Sequence, residues 1–193
     1  MAGFGANYPC FKQNGKDKGV VMGKLIAADL TVNLASGEVY ADDALAEQLS
    51  EFASGSIAME TDDLEDSAAQ EVYGCKVSEK EVTYNKDDTP PMGALAYYKR
   101  IMRGGVKQYK GYYYPSVRAA LGNDSAKTRG SNITFTTTST TFTVFADENG
   151  DWRKTIICDT AEEVKQWIDT KCAIQAAAKT AAQTEPAANT EQA

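Results

Sequence analysis

Residues 131–152 read SNITFTTTSTTFTVFADENGDW. Thr, Val and Phe are at home in extended chain, where branched and aromatic side chains pack well on a pleated surface. Asn149-Gly150 supplies the dipeptide that most favours a two-residue type I′ turn. A chain with this much strand sequence has to hide one sheet face and manage its edges. The stretch predicts a mainly β protein, with a Thr-rich strand over 133–145, a hairpin at Asn149-Gly150 and a return strand over 153–158. Its apolar phase changes: Ile133 and Phe135 are odd-numbered, Phe142 and Val144 even. A bulge between Thr136 and Thr141 would reset the face.

Much chemistry is excluded at once. The 193 residues contain no histidine, so Ser-His-Asp and Cys-His catalysis and histidine metal sites are ruled out in their usual forms. Cys10, Cys75, Cys158 and Cys172 stand far apart, with no C-x-x-C pair for a zinc ribbon or a thioredoxin-like site. Gly19 to Leu25, GVVMGKL, is one residue short of a phosphate loop and has Leu where Ser or Thr would hold magnesium. Asp147-Glu148-Asn149-Gly150-Asp151 lacks the distant Glu of a calcium loop, so a turn is expected there. The acids at Asp62, Asp63, Glu65 and Asp66 are explained by a helix N-terminus. We expect no enzyme, no cofactor and no metal. The net charge of −7 argues against wrapping nucleic acid, yet lets DNA pass without sticking. With no leader-like start and no run of about 20 apolar residues, synthesis in a cytoplasm and no membrane span are expected.

Along the chain, residues 1–22 mix Gly, Lys and Asn and are expected to form an N-terminal arm. Leu30, Val32 and Leu34 alternate with Asp29, Thr31 and Asn33, the period of a half-buried strand. A second alternation places Ile57 and Met59 opposite Ser56, Ala58 and Glu60. Residues 38–53 lie between these strands and mix helix and strand signals; a long excursion is expected. Asp62 with Glu65 suggests a capping box for a helix over 62–73, with Leu64, Ala68 and Val72 as its apolar stripe and Gly74 as its stop. Strands are expected over 77–84, 92–100 and 106–119, with a turn at Arg103-Gly104-Gly105 and a polar loop over 122–130. Thr160 with Glu163 opens a second helix carrying Val164, Trp167 and Ile168 on one face. The tail over 173–193 is Ala/Thr-rich and offers little to bury. The domain is thus expected over 23–172, as a β-sandwich or barrel with one flanking helix and a short C-terminal helix. Tyr112-Tyr113-Tyr114 suits a strand core or an interface better than a platform for sugars.

This order of elements resembles the major tail tube proteins of phages with long, non-contractile tails. The residues that carry the resemblance are Tyr40-Ala41-Asp42-Asp43, the Gly55-Ser56-Ile57 strand, the helix from Asp63-Leu64 to Tyr73-Gly74 and the strand Met92 to Tyr98. The Lys110 to Pro115 and Ile133 to Thr136 strands complete it, over roughly residues 20–170. The resemblance implies a structural virion protein in the phage tail, six copies to a ring, with rings stacked into a helical tube that conducts DNA without binding it specifically. Implied partners are other copies of itself, a tape-measure protein, a tail terminator and a baseplate or distal tail protein. Asp29, Thr31, Asn33, Ser56, Ala58 and Glu60 would then face the lumen. Tyr40, Asp42, Asp43, Leu45, Leu49 and Phe52 would reach the next subunit or ring. Alternatives are a tube protein of a contractile tail or secretion machine, or a carbohydrate-binding β-sandwich.

Overall fold

A computed structural model describes residues 2–41, 44–78, 81–121 and 137–174. The chain is mainly β, with antiparallel sheets and, among the described residues, two helices. The strands are β1 (Ala2–Gln13), β2 (Val20–Val21), β3 (Leu25–Ala41), β4 (Ala44–Thr61), β5 (Lys76–Ser78), β6 (Glu81–Thr83), β7 (Met92–Arg103), β8 (Val106–Ala119), β9 (Thr138–Phe145) and β10 (Lys154–Cys158). The helices are α1 (Asp66–Tyr73), between β4 and β5, and α2 (Ala161–Cys172), after β10. The main sheet runs β2-β1-β7-β8-β9-β4-β3, and β10 also pairs with β8.

β8 is the pivot of this sheet. Its first half pairs with β10, from Tyr109 opposite Cys158 to Tyr113 opposite Lys154. Its last residues pair with β9, from Ser116 opposite Phe145 to Ala119 opposite Phe142. Between the halves the register against β7 slips, and Gly93 and Leu95 face Val117 and Tyr114. One strand thereby joins a β1-β7-β8-β10 layer to a β8-β9-β4-β3 layer. Phe11, Leu95, Tyr97, Tyr112 and Tyr114 from the first meet Ile57, Met59, Phe142 and Val144 from the second in one core, closed by Ala68, Ala69 and Val72 of α1.

A second cluster lies on the other side of the β1-β7-β8-β10 layer. There α2 sets Val164, Ile168 and Cys172 against Cys10, Ala96, Tyr98 and Cys158. The helix can approach because Gly111 has no side chain. A Cβ there would stand 2.8 Å from a Val164 methyl and 2.9 Å from an Ile156 methyl. Thr160 Oγ1 accepts the Glu163 N–H at 3.2 Å, so the expected cap of α2 forms.

Several expectations change. Residues 1–22, expected as an arm, contribute β1, which pairs with β7 along its length and buries Cys10 and Phe11 completely. The first helix starts at Asp66, later than expected, and Glu65 occupies its N-cap with no side-chain bond. Asp62 is drawn to the preceding strand entry, where its Oδ1 accepts the Lys24 N–H at 2.7 Å and the Asp63 N–H at 2.9 Å. The helix stop is as expected, with Gly74 left-handed at φ 73°. The single strand expected over 77–84 is instead the β5–β6 pair. Asn149-Gly150 does turn the chain, but β10 does not return along β9; it crosses to β8 in the other layer. Asp147 Oδ1 accepts the N–H groups of Asn149 at 2.9 Å and Asp151 at 2.8 Å. The Asp147 side chain thus reinforces a turn that two backbone bonds also close, Asp147 N–H to the Asp151 carbonyl and Gly150 N–H to the Asp147 carbonyl, both 2.9 Å. Ile133, Phe135 and the loop over 122–130 lie outside the described residues, as does 175–193; of the span 136–141 in which a bulge is expected, Thr138 to Thr141 lie in β9 and pair with β4 without a shift.

Candidate assembly surfaces

The β3–β4 hairpin has a base and an arm. In the base, Leu30 faces Ile57, which faces Phe142, which faces Ala119, and this row points into the core. Val32, Gly55, Val144 and Val117 form the next row, and Ala28, Met59 and Thr140 the one before. Thr140 is the polar member and is satisfied, with its Oγ1 2.8 Å from the Tyr73 hydroxyl.

Alternation puts the intervening residues on the opposite face. Asp29, Ala58 and Thr141 share one row, and Thr31, Ser56, Thr143 and Arg118 the next. Glu60 lies between Ala27 and Ser139. Asn33 stands opposite Ser54, with Asn33 Nδ2 donating to Ser54 Oγ at 3.1 Å. All six residues expected on one face therefore stand together, exposed or half-exposed. Ser139, Thr141, Thr143 and Arg118 extend that face. The β9 members could have been named from the sequence, since Phe142 and Val144 fix the opposite phase. Arg118 could not, because the slip within β8 decides where it points.

Beyond the base, Leu34 to Ala41 pair with Phe52 to Ala44, a ribbon about 25 Å long at the rise of a strand. This arm continues both strands, and among the described residues no layer packs against it: Leu34 is 59% exposed and Leu49 63%. The excursion expected over 38–53 is thus a strand ribbon. Tyr40 and Leu45 oppose each other near its end, while Asp42 and Asp43 lie outside the described residues. Phe52 marks the root, half-buried and stacked on Trp152 at 4.6 Å with the rings 6° from parallel. The Arg153 guanidinium lies over the same indole at 4.6 Å. A two-stranded ribbon is marginal by itself in water.

The tyrosines are not a platform. Tyr114 is fully buried and Tyr112 nearly so, and Tyr97 stacks on Tyr112 at 5.2 Å. Burial pushes the Tyr97 and Tyr114 phenols up from their ordinary values. Tyr113 packs edge-on against Trp167 of α2.

The near misses resolve into structure. Lys24 points to Asp62, Nζ to Oδ2 3.7 Å, at the turn into β3. Among the described residues no group of His, Cys, Asp and Glu is placed to hold a metal, and no helix is long and apolar enough to cross a membrane. No protein-family model matches the sequence, and no curated protein matches it.

Proposed function

We propose that this chain is a structural subunit of a tube, in the manner of the major tail tube proteins it resembles, and that it works by assembly and not by catalysis. One observation carries the reading. The β3-β4-β9 sheet has one face in the core and the other paved with small polar and acidic side chains, and it runs into a ribbon arm on which Leu34 and Leu49 stand in water. A ring of six copies would place the polar face around a bore and give each arm a neighbour to lie on. Pairing between copies would also cover β3, which is an edge of the sheet among the described residues and presents backbone groups there.

In this reading Asp29, Thr31, Asn33, Ser56, Ala58 and Glu60 line the lumen. Asp29 and Glu60 repel phosphate and the Ser and Thr side chains carry no charge that would grip it, so DNA slides past a face whose cation, Arg118, lies at the β8 end of its row. Tyr40, Asp42, Asp43, Leu45, Leu49 and Phe52 belong to the contact with the next subunit or ring. The product is a virion tail, capped by a terminator, measured by a tape-measure protein and seated on a distal tail protein. A tube of a contractile tail or secretion machine uses the same surfaces. The carbohydrate reading is weaker, because the tyrosines that would have stacked on sugars are packed inside.

Removal of residues 36–50, with Ala35 joined to Glu51 through Asn-Gly, tests the proposal. Negative-stain microscopy should find a folded chain that forms no rings or tubes where the intact chain forms them. Undiminished polymers from the shortened chain would overturn the role of the arm.

A further inference from the structure

Charge is segregated along this chain. Residues 25–75 hold 12 Asp and Glu and no Lys or Arg. Residues 89–123 hold six Lys and Arg and no Asp or Glu. The fold brings basic residues of the second stretch to one end of β8 and acids of the first to the other.

At the start of β8 the β7–β8 turn forms a blunt knob. Arg103 pairs with Val106 across Gly104 and Gly105, whose φ values of 57° and 81° make a tight two-residue turn. Val106 is 59% exposed and Met102 42%, with exposed Arg103 and Lys107 beside them. Phe4 of β1, opposite Arg100 on the same layer, is also exposed.

Past the end of β8 there is a cleft of about 470 Å³. Leu64, Tyr73, Tyr84 and Leu121 give it apolar walls, and Asp63 and Asp66 give it negative charge. Among the described residues no Lys or Arg lines it. Leu121 is 56% exposed.

We propose that the cleft receives the β7–β8 knob of a second copy of this chain. Val106 and Met102 would enter between Leu64, Tyr73 and Leu121, and Arg103 and Lys107 would meet Asp66 and Asp63. Apolar contact supplies the attraction, and the charges fix orientation and exclude the reversed pairing. Knob and cleft differ and lie at opposite ends of one 14-residue strand. The contact is therefore head-to-tail, and a row of copies keeps a free knob at one end and a free cleft at the other. Such a contact propagates along a row unless the rotation between copies closes it into a ring. In the tube it is the axial contact between rings, an assignment that rests on the tube reading, while the arm makes the lateral one.

Cysteines placed at the two surfaces test this. The native cysteines are all buried and free, so a mild oxidant addresses the introduced ones. Val106→Cys combined with Leu121→Cys cannot close within one molecule, because the two sites are separated by the length of β8. The expected product is a ladder of dimers, trimers and higher species on non-reducing electrophoresis, absent from either single variant. It should persist in about 1 M salt, where charges are screened beyond about 3 Å but the apolar contact remains. Adding Arg103→Glu and Lys107→Glu should remove the ladder, and mixing that protein with one carrying Asp63→Lys and Asp66→Lys should restore mixed dimers. A double-cysteine protein that gives no ladder, or a ladder indifferent to the charge reversals, overturns the contact. Tubes without the ladder would keep the tube and remove this contact. A ladder without rings would keep the contact and remove the tube.

Discussion

The base and the arm of the β3–β4 hairpin are made by the same two strands, with a register shift between Asn33 and Leu34 where one passes into the other, yet they do opposite things. In the base, alternate residues turn toward the core, and Ile57 and Met59 are fully buried although Val32, nearest the arm, is partly exposed. In the arm, Leu34 and Leu49 have the same chemistry and remain in water. Strand pairing is therefore not what separates them. The base has β9 on one side and the other layer beneath it, whereas among the described residues the arm has neither. The base explains why the domain folds; the arm is the part on which the proposed assembly rests.

The largest effect should come from the base. Ile57→Ala should cost about 2–5 kcal/mol, as expected for a buried aliphatic truncated in a packed core. Leu49→Ala, in the arm, should leave chemical denaturation of the monomer unchanged and weaken assembly. If the two variants lose similar stability as monomers, the contrast is wrong.

Smaller effects probe the boundaries. Gly111→Ala forces α2 off the β1-β7-β8-β10 layer. It should destabilise by about 1–3 kcal/mol in urea unfolding, the usual cost of overpacking. Trp152→Ala removes the ring that stacks on Phe52. Beyond lost burial, an aromatic stack is worth about 0.5–1.5 kcal/mol, and amide exchange should rise first in residues 50–53. Asp29→Lys with Glu60→Lys should leave unfolding and assembly almost untouched while hindering DNA passage, measured as infectivity of phage carrying both changes. Unchanged infectivity would remove these residues from the bore.

The smallest effect is a pH dependence. The bonds that Asp62 accepts from the Lys24 and Asp63 backbone hold its carboxyl below the ordinary value. A lowered folded-state pKa stabilises above the unfolded value, and that contribution is lost as pH falls through the folded one. Melting of the wild type should therefore decline slightly more than that of Asp62→Asn as the solution is acidified below the carboxylate range.

What the sequence made legible follows from period and from local chemistry. The alternations 29–34 and 56–60 need only neighbouring residues, and they named both faces of the base. Thr160 with Glu163 and Gly74 act within one turn of chain, and both were readable. The arm was ambiguous because no layer selects a face there, so the alternation that identifies a strand fades. The crossing from β9 to β10 was missed because Asn149-Gly150 states that the chain turns but not where it goes next. Asp62 was assigned to the helix because its partner, the Lys24 amide, is 38 residues away. The slip in β8, which carries Arg118 to the polar face, has a local mark in Pro115, since strand prolines sit at edges and bulges, but Pro115 alone does not say how far the register moves.

The central claim is that the polar β3-β4-β9 face encloses a bore. Negative-stain electron microscopy of the concentrated, aged protein addresses it directly. The account predicts six-fold rings, or tubes of stacked rings, with a stain-filled axial hole. Solid filaments, or a protein that stays monomeric at every concentration and ionic strength, would contradict it.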